Sequence, residues 1–182
     1  MSVLPVGHYL GERYPEGLHY VRVGRDHQTM TDDEFGVWVL FHQDNPRVDV
    51  EAVLKLAAQA DLPDAETAME RLLSAGALVK VTDEVAFAKA YRLRTLLVGL
   101  GNTPEDPDTY YVGLPGHEPA QLGAGSYELW QWSALTPSLW HTCEIRAKVA
   151  NAELAPADVV PELLADLRPL LANNCGYLDP AT

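Results

Sequence analysis

The residues best equipped for chemistry in this sequence are His141 and Cys143, two positions apart, with Cys175 further on. Imidazole and thiolate together suit zinc, which takes four such ligands in a tetrahedron. On a helix, however, side chains at i and i+2 diverge by about 200°, so His141 and Cys143 do not share an ion. The other histidines, His8, His19, His27, His42 and His117, have no spacing that suits a zinc site. No Gly-rich run leads into Lys-Ser or Lys-Thr, no dinucleotide fingerprint follows a strand, and no Gly-Xaa-Ser-Xaa-Gly elbow occurs. With 26 carboxylates in the chain, no single pair of them points to an acid-base site. The expectation is a non-catalytic chain with no metal and no cofactor.

Charge narrows the partners. Against those 26 acids stand 13 basic residues, a formal net charge of −13. Residues 1–94 carry 15 acidic and 10 basic side chains, and residues 95–182 carry 11 and 3. Affinity for nucleic acid comes mainly from Lys and Arg releasing counterions from the phosphate backbone, so this balance disfavours nucleic acid and favours a peptide or protein partner. The first residues, through Pro5, Glu12, Arg13, Pro15 and Glu16, have neither a basic n-region nor an uninterrupted apolar stretch, so no signal peptide is expected there. No segment approaches the roughly 18 apolar residues that span a bilayer, so a cytoplasmic protein with no membrane partner is expected. Cys143 and Cys175, 32 positions apart, are expected to be buried free thiols.

The elements that would position a site occur twice. Tyr20-Val21-Arg22-Val23 matches Tyr111-Val112-Gly113-Leu114 at an offset of 91. At an offset of 92, Met30, Phe35, Val37, Trp38 and Leu40 fall on Leu122, Tyr127, Leu129, Trp130 and Trp132. Leu72-Leu73 then falls on Leu170-Leu171 at 98, which places about six extra residues in a connection of the second copy, where length varies most easily.

In the first copy, His19 to Val23 alternates as a strand, Gly24-Arg25-Asp26 turns, and Gln28 to Met30 makes a short return strand. Thr31-Asp32-Asp33-Glu34 is a capping box that opens a helix through His42. That helix is apolar all round, since at about 100° per residue Phe35 to Phe41 cover every side, and two buried faces are expected. A second helix starts near Asp49 and ends at Leu62-Pro63. A third is capped by Asp64, buries Met69, Leu72 and Leu73, and closes at Gly76 before the strand Leu78 to Val81.

The second copy gives a strand over Tyr110 to Leu114, a turn at Leu114 to His117, and a helix over Ser126 to Trp132. A helix capped by Ser138 follows, then one through Pro161 to Leu171 that Pro169 interrupts, then a closing strand at Gly176 to Leu178. Between the copies, helical spacing over Asp83 to Leu97 predicts a connecting helix, and Asn102 to Thr109 an exposed linker. The fold class is α+β in two tandem lobes, with boundaries at 1–81, 82–109 for the connection, and 110–182.

Each lobe, a small sheet, three helices and a strand, resembles the winged helix-turn-helix class of regulators and, as the nearest sub-type, the PqqD-like peptide-binding fold. The likeness covers residues 17–81 and 110–179. In winged-helix regulators the third helix enters the major groove with basic or amide side chains. Here its outward positions include Glu66 and Glu70 with Arg71, and in the second copy Glu162 and Asp166 with Arg168, which places DNA-binding regulation second. The PqqD-like resemblance implies an extended peptide added to a sheet edge. Its carry-over points to Tyr20 and Arg22 on the strand, Glu66 and Glu70 on the helix beside it, and Tyr111 in the second copy. In the simplest account Trp38, Trp130 and Trp132 are core, and the alternative adds Trp132 and Trp140 as candidates for a partner contact, because Trp is favoured in binding hot spots as well as in cores.

Overall fold

The computed structural model describes residues 2–44, 49–150 and 153–181. It divides into two compact units, residues 1–82 with 178–180, and residues 83–177 with 181–182. Both are α+β.

In the first unit, β1 (Ser2–Pro5) pairs antiparallel with β5 (Leu78–Val81). A separate meander is formed by β2 (His8–Arg13), β3 (Leu18–Val23) and β4 (Asp26–Met30), with β3 in the middle. Three helices follow, α1 (Asp32–Leu40), α2 (Val50–Gln59) and α3 (Ala65–Ser74). The core lies where they meet the sheets: Val3, Val21, Met30, Val37, Trp38, Phe41, Val53 and Leu72 are all buried. The second buried face expected of α1 is incomplete, since Val39 keeps 44% of its surface exposed.

The capping box at Thr31 forms as the sequence predicts. Thr31 Oγ1 accepts from Glu34 N–H at 3.3 Å, and Glu34 Oε2 accepts from Thr31 N–H at 2.9 Å. Thr31→Ala is expected to cost about 1 kcal/mol in urea unfolding, the usual value of a lost N-cap. Asp64, by contrast, makes no side-chain cap to α3.

The second unit opens with α4 (Glu84–Ala90) and then repeats the first in order. β6 (Tyr91–Thr95) pairs with β10 (Gly176–Pro180), as β1 does with β5. The meander is β7 (Val98–Gly101), β8 (Tyr110–Gly113) and β9 (Ala120–Leu122), and its helices are α5 (Ala124–Ser133), α6 (Leu139–Ala150) and α7 (Pro156–Ala172). The repeat reaches individual bonds. Bulges interrupt the ladder at Gly11 opposite Tyr20 and at Gly101 opposite Tyr111, and both glycines have positive φ. Ala77 N–H donates to Leu72 C=O as Cys175 N–H does to Leu170 C=O, both at 2.9 Å. The preceding residue is left-handed in each copy, Gly76 at φ 75° and Asn174 at φ 52°, the conformation that ends a helix in this way. Phe35 stacks on Trp38 at 6.0 Å, and Tyr127 on Trp130 at 5.9 Å.

Two sequence expectations change. The connecting helix ends at Ala90 and not near Leu97, because Tyr91-Arg92-Leu93-Arg94-Thr95 alternates in strand fashion, with only Leu93 fully buried. Asn102 to Thr109 is the loop of the β7–β8 hairpin and so lies inside the second unit. Helix α7 continues to Ala172 through both Pro161 and Pro169. Among the described residues no helix is long and apolar enough to cross a membrane.

Candidate functional site

A concavity of the first unit lies between α2 and α3. Helix α2 starts at Asp49, whose Oδ1 accepts from Ala52 N–H at 2.8 Å, and it ends at Ala60. The chain then reverses through Asp61 at φ 54°, and Leu62 N–H returns to Ala57 C=O at 3.0 Å. Leu62 presses on α1 at Gly36, where a Cβ would lie 2.9 Å from Leu62 Cδ1, so a side chain at 36 would push the groove wall outward. The result is an open groove of about 600 Å3 lined by Leu54, Ala58, Leu62, Pro63 and Ala65, with Asp61 and Glu66 supplying its charge. Apolar walls carrying two carboxylates suit an alkyl or aromatic side chain flanked by a cation.

In the second unit the space between helices is narrower, about 190 Å3, and Arg146 forms part of its wall. Its guanidinium ties three helices together. Nη1 donates to Asp166 Oδ2 of α7 at 2.8 Å, Nη2 donates to Gly125 C=O of α5, and Nε lies 3.8 Å from Glu128 Oε2. Both terminal nitrogens are thus hydrogen-bonded inside the cluster, whereas the buried Nε makes no hydrogen bond.

The predicted site residues separate. Glu66 lines the groove, whereas Glu70, one turn on, faces solvent on α3. Tyr20 and Arg22 lie on β3, and Tyr111 on β8. These are the central strands of their meanders, bonded on both sides, so the strand at Tyr20 to Val23 cannot accept an added peptide as the resemblance implies. The open edges belong to β2 and β4, and to β7 and β9. Trp132 is half-buried on α5. Trp140 is engaged locally: its Nε1–H donates to Glu144 Oε1 at 2.9 Å, and Lys89 Nζ sits 4.6 Å from its ring centre. The bases of the helices matched to DNA recognition are occupied or buried. Arg71 Nη1 lies 3.5 Å from Glu34 Oε1, and Arg168 is buried.

Sequence reading missed most of the groove wall, because Leu54, Ala58, Leu62 and Pro63 serve as helix interior and helix terminator in one dimension. It also missed a hydrogen-bonded chain on the first sheet. Tyr9 O–H donates to His19 Nδ1 at 3.0 Å, and His19 Nε2–H donates to Asp32 Oδ1 at 3.0 Å, a tautomer that the acceptor-only carboxylate requires. Phe35 stacks under His19 at 4.0 Å. Both imidazole nitrogens are thereby taken, and the chain braces β2, β3 and α1. Burial pushes the Cys143 and Cys175 thiols up to about 11, so both remain protonated and unreactive at neutral pH. Among the described residues no group of three or more His, Cys, Asp or Glu side chains converges to hold a metal ion. No protein-family model matches the chain, and no curated protein or solved structure is detectably similar to it.

Proposed function

We propose that this protein is a non-catalytic binding protein, built from two winged-helix-like lobes of the PqqD-like kind, that recognises a peptide or protein partner through the first lobe. The observation that carries the reading is the α2–α3 groove, solvent-open, apolar-walled and bearing Asp61 and Glu66. Its chemistry fits a basic, amphipathic segment: a buried alkyl or aromatic anchor supplies affinity, and the carboxylates select a neighbouring Lys or Arg. The open main-chain edge of β4 offers an extended segment additional hydrogen bonds of the strand-addition kind. A role on duplex DNA is less well supported, because α3 presents Glu66 and Glu70 where a recognition helix needs bases.

The test uses a displayed library of random peptides selected on the purified protein. Selected peptides are expected to combine an apolar anchor with Lys or Arg. Filling the groove with Ala58→Trp, at an exposed position, is expected to weaken them about tenfold or more. Glu66→Lys is expected to weaken the basic ones by a smaller factor that shrinks in high salt. Salt-sensitive retention on heparin together with a shift of duplex DNA, and no peptide affected by Ala58→Trp, would refute the reading.

A further inference from the structure

The two meanders repeat each other down to the bulge, and they part over charge. In the first unit the edge strand β2 carries Glu12 and Arg13, and the opposite edge strand β4 carries Asp26. Charges so placed stop an open edge from pairing with another chain. The matching edge strand β7, Val98-Gly99-Leu100-Gly101, carries none. No Asp, Glu, Lys or Arg occurs from Thr95 to Pro104 or from Thr109 to His117, so β7 and β8 form a neutral island in a chain of net charge −13. The bulge is common to β2 and β7 and does not account for the difference. Val98 and Leu100 are 52% and 45% exposed, and Leu96 and Leu114, next to the two strands in sequence, 42% and 49%. Two glycines fix the direction of the first pair. A Cβ on Gly99 would lie 2.9 Å from Tyr127 Oη, so Gly99 faces α5 and Val98, one residue before it, faces away. A Cβ on Gly113, the ladder partner of Val98, would lie 3.7 Å from Leu100 Cδ1, which puts Leu100 on the same outer face. Among the described residues β7 is the strand that combines exposed aliphatic side chains with no charge.

We propose that β7 is the dimerisation edge of this protein, pairing antiparallel with β7 of a second copy of the chain to make one six-stranded sheet. Charge selects the occupant. A basic segment finds no carboxylate on this edge and an acidic one finds no cation, whereas a second copy, repelled elsewhere by the same net charge, meets here a strand as neutral and aliphatic as its own. Symmetry selects the direction. A two-fold axis normal to the sheet sets the strands antiparallel and keeps both outer faces on one side, so Val98 and Leu100 of the two copies become cross-strand neighbours. It also sends the two β7–β8 loops, each with Glu105, Asp106 and Asp108, to opposite ends of the pair, where a parallel arrangement would bring those acids together. Size sets the strength. The four aliphatic side chains leave on the order of 300 Å2 per copy in water. Twice that, with the main chain of a four-residue strand, stays below the roughly 1,200 Å2 of a standard interface, so the dimer is expected to be weak, with a dissociation constant on the order of 10–100 µM.

Dimerisation through β7 does not involve the groove between α2 and α3, so the two readings can fail separately. Sedimentation velocity of the purified full chain, run from about 1 µM to about 500 µM, is expected to show a reversible monomer–dimer equilibrium. Added salt is expected to tighten it, because screening weakens the repulsion between two chains of charge −13 and the edge has no ion pair to lose. Leu100→Lys, at an exposed position, sets like charges beside the two-fold axis and is expected to raise the dissociation constant about tenfold or more, with the melting temperature of the dilute protein kept. Val98→Lys gives the same reading from a second exposed position. Leu135→Lys, on a leucine 77% exposed between α5 and α6, and Ala58→Trp are expected to leave the dimer unchanged. A monomer at every concentration, a dimer that both β7 variants leave intact, or one that salt dissociates would each overturn the proposal.

Discussion

Arg146→Met is expected to lower the unfolding free energy of the second unit by about 3 kcal/mol, the largest effect of any single polar substitution discussed for this unit. The Arg146 side chain is 8% exposed and Asp166 19%, so the pair sits largely out of water. Removing the guanidinium leaves the Asp166 carboxylate without its cation and the Gly125 carbonyl without a donor. The residual exposure of Asp166, and the 41% exposure of Glu128, put the cost at the lower end of the range for a broken buried pair. Arg146→Met/Asp166→Leu removes both charges and is expected to recover most of the loss, because an apolar pair of similar volume needs no partner. Gly125 cannot be altered to compensate: a Cβ there would lie 2.6 Å from both Asp166 carboxylate oxygens. Urea unfolding of wild type, both single variants and the double variant decides the matter. A single variant within about 0.5 kcal/mol of wild type would show that the cluster is solvated like a surface ion pair.

The same cluster illustrates what could and could not be read from the sequence. Local signals were legible. Thr31 and Glu34 are three apart and cap each other, and Gly76 stands where a left-handed residue must end α3. The duplication was legible through its aromatics, since Phe35 and Trp38 recur as Tyr127 and Trp130 at one fixed spacing. Its first two strands in each copy were not. In β2 and β7 the bulged residues Leu10 and Leu100 shift the alternation by one, so the period of two that marks a strand is lost midway. β6 was hidden by an accident of spacing, because Tyr91 and Leu96 continue the apolar rhythm of α4. Arg146, Asp166, Glu128 and Gly125 come from three helices, and no one-dimensional pattern links them. The first meander has the same character: His8, Arg22 and His27 become neighbours only through strand register.

His42 makes the stability of the first unit depend on acidity. It follows the last turn of α1, with its ring edge-on to Trp38 at 4.1 Å and its Nδ1–H donating to the Trp38 carbonyl at 3.0 Å. Burial pushes its pKa down to about 4, and the hydrogen bond to Trp38 offsets only part of that. The folded state therefore holds the ring neutral, whereas the unfolded chain takes up a proton at the ordinary value near 6.5. Stability from this group is complete above about pH 6.5 and declines as the pH falls toward about 4, where the folded ring is protonated as well. A shift of this size corresponds to about 3 kcal/mol, and the solvent contact the ring retains reduces the expected loss to about 2 kcal/mol. Many carboxylates titrate over the same interval, so the quantity to measure is a difference. His42→Phe keeps the ring packing and removes the titration, and wild type is expected to lose about 2 kcal/mol more than this variant between neutral pH and pH 4.5. Parallel pH profiles for the two proteins would mean that His42 titrates as an ordinary exposed imidazole and does not act as the acid-sensitive element of this lobe.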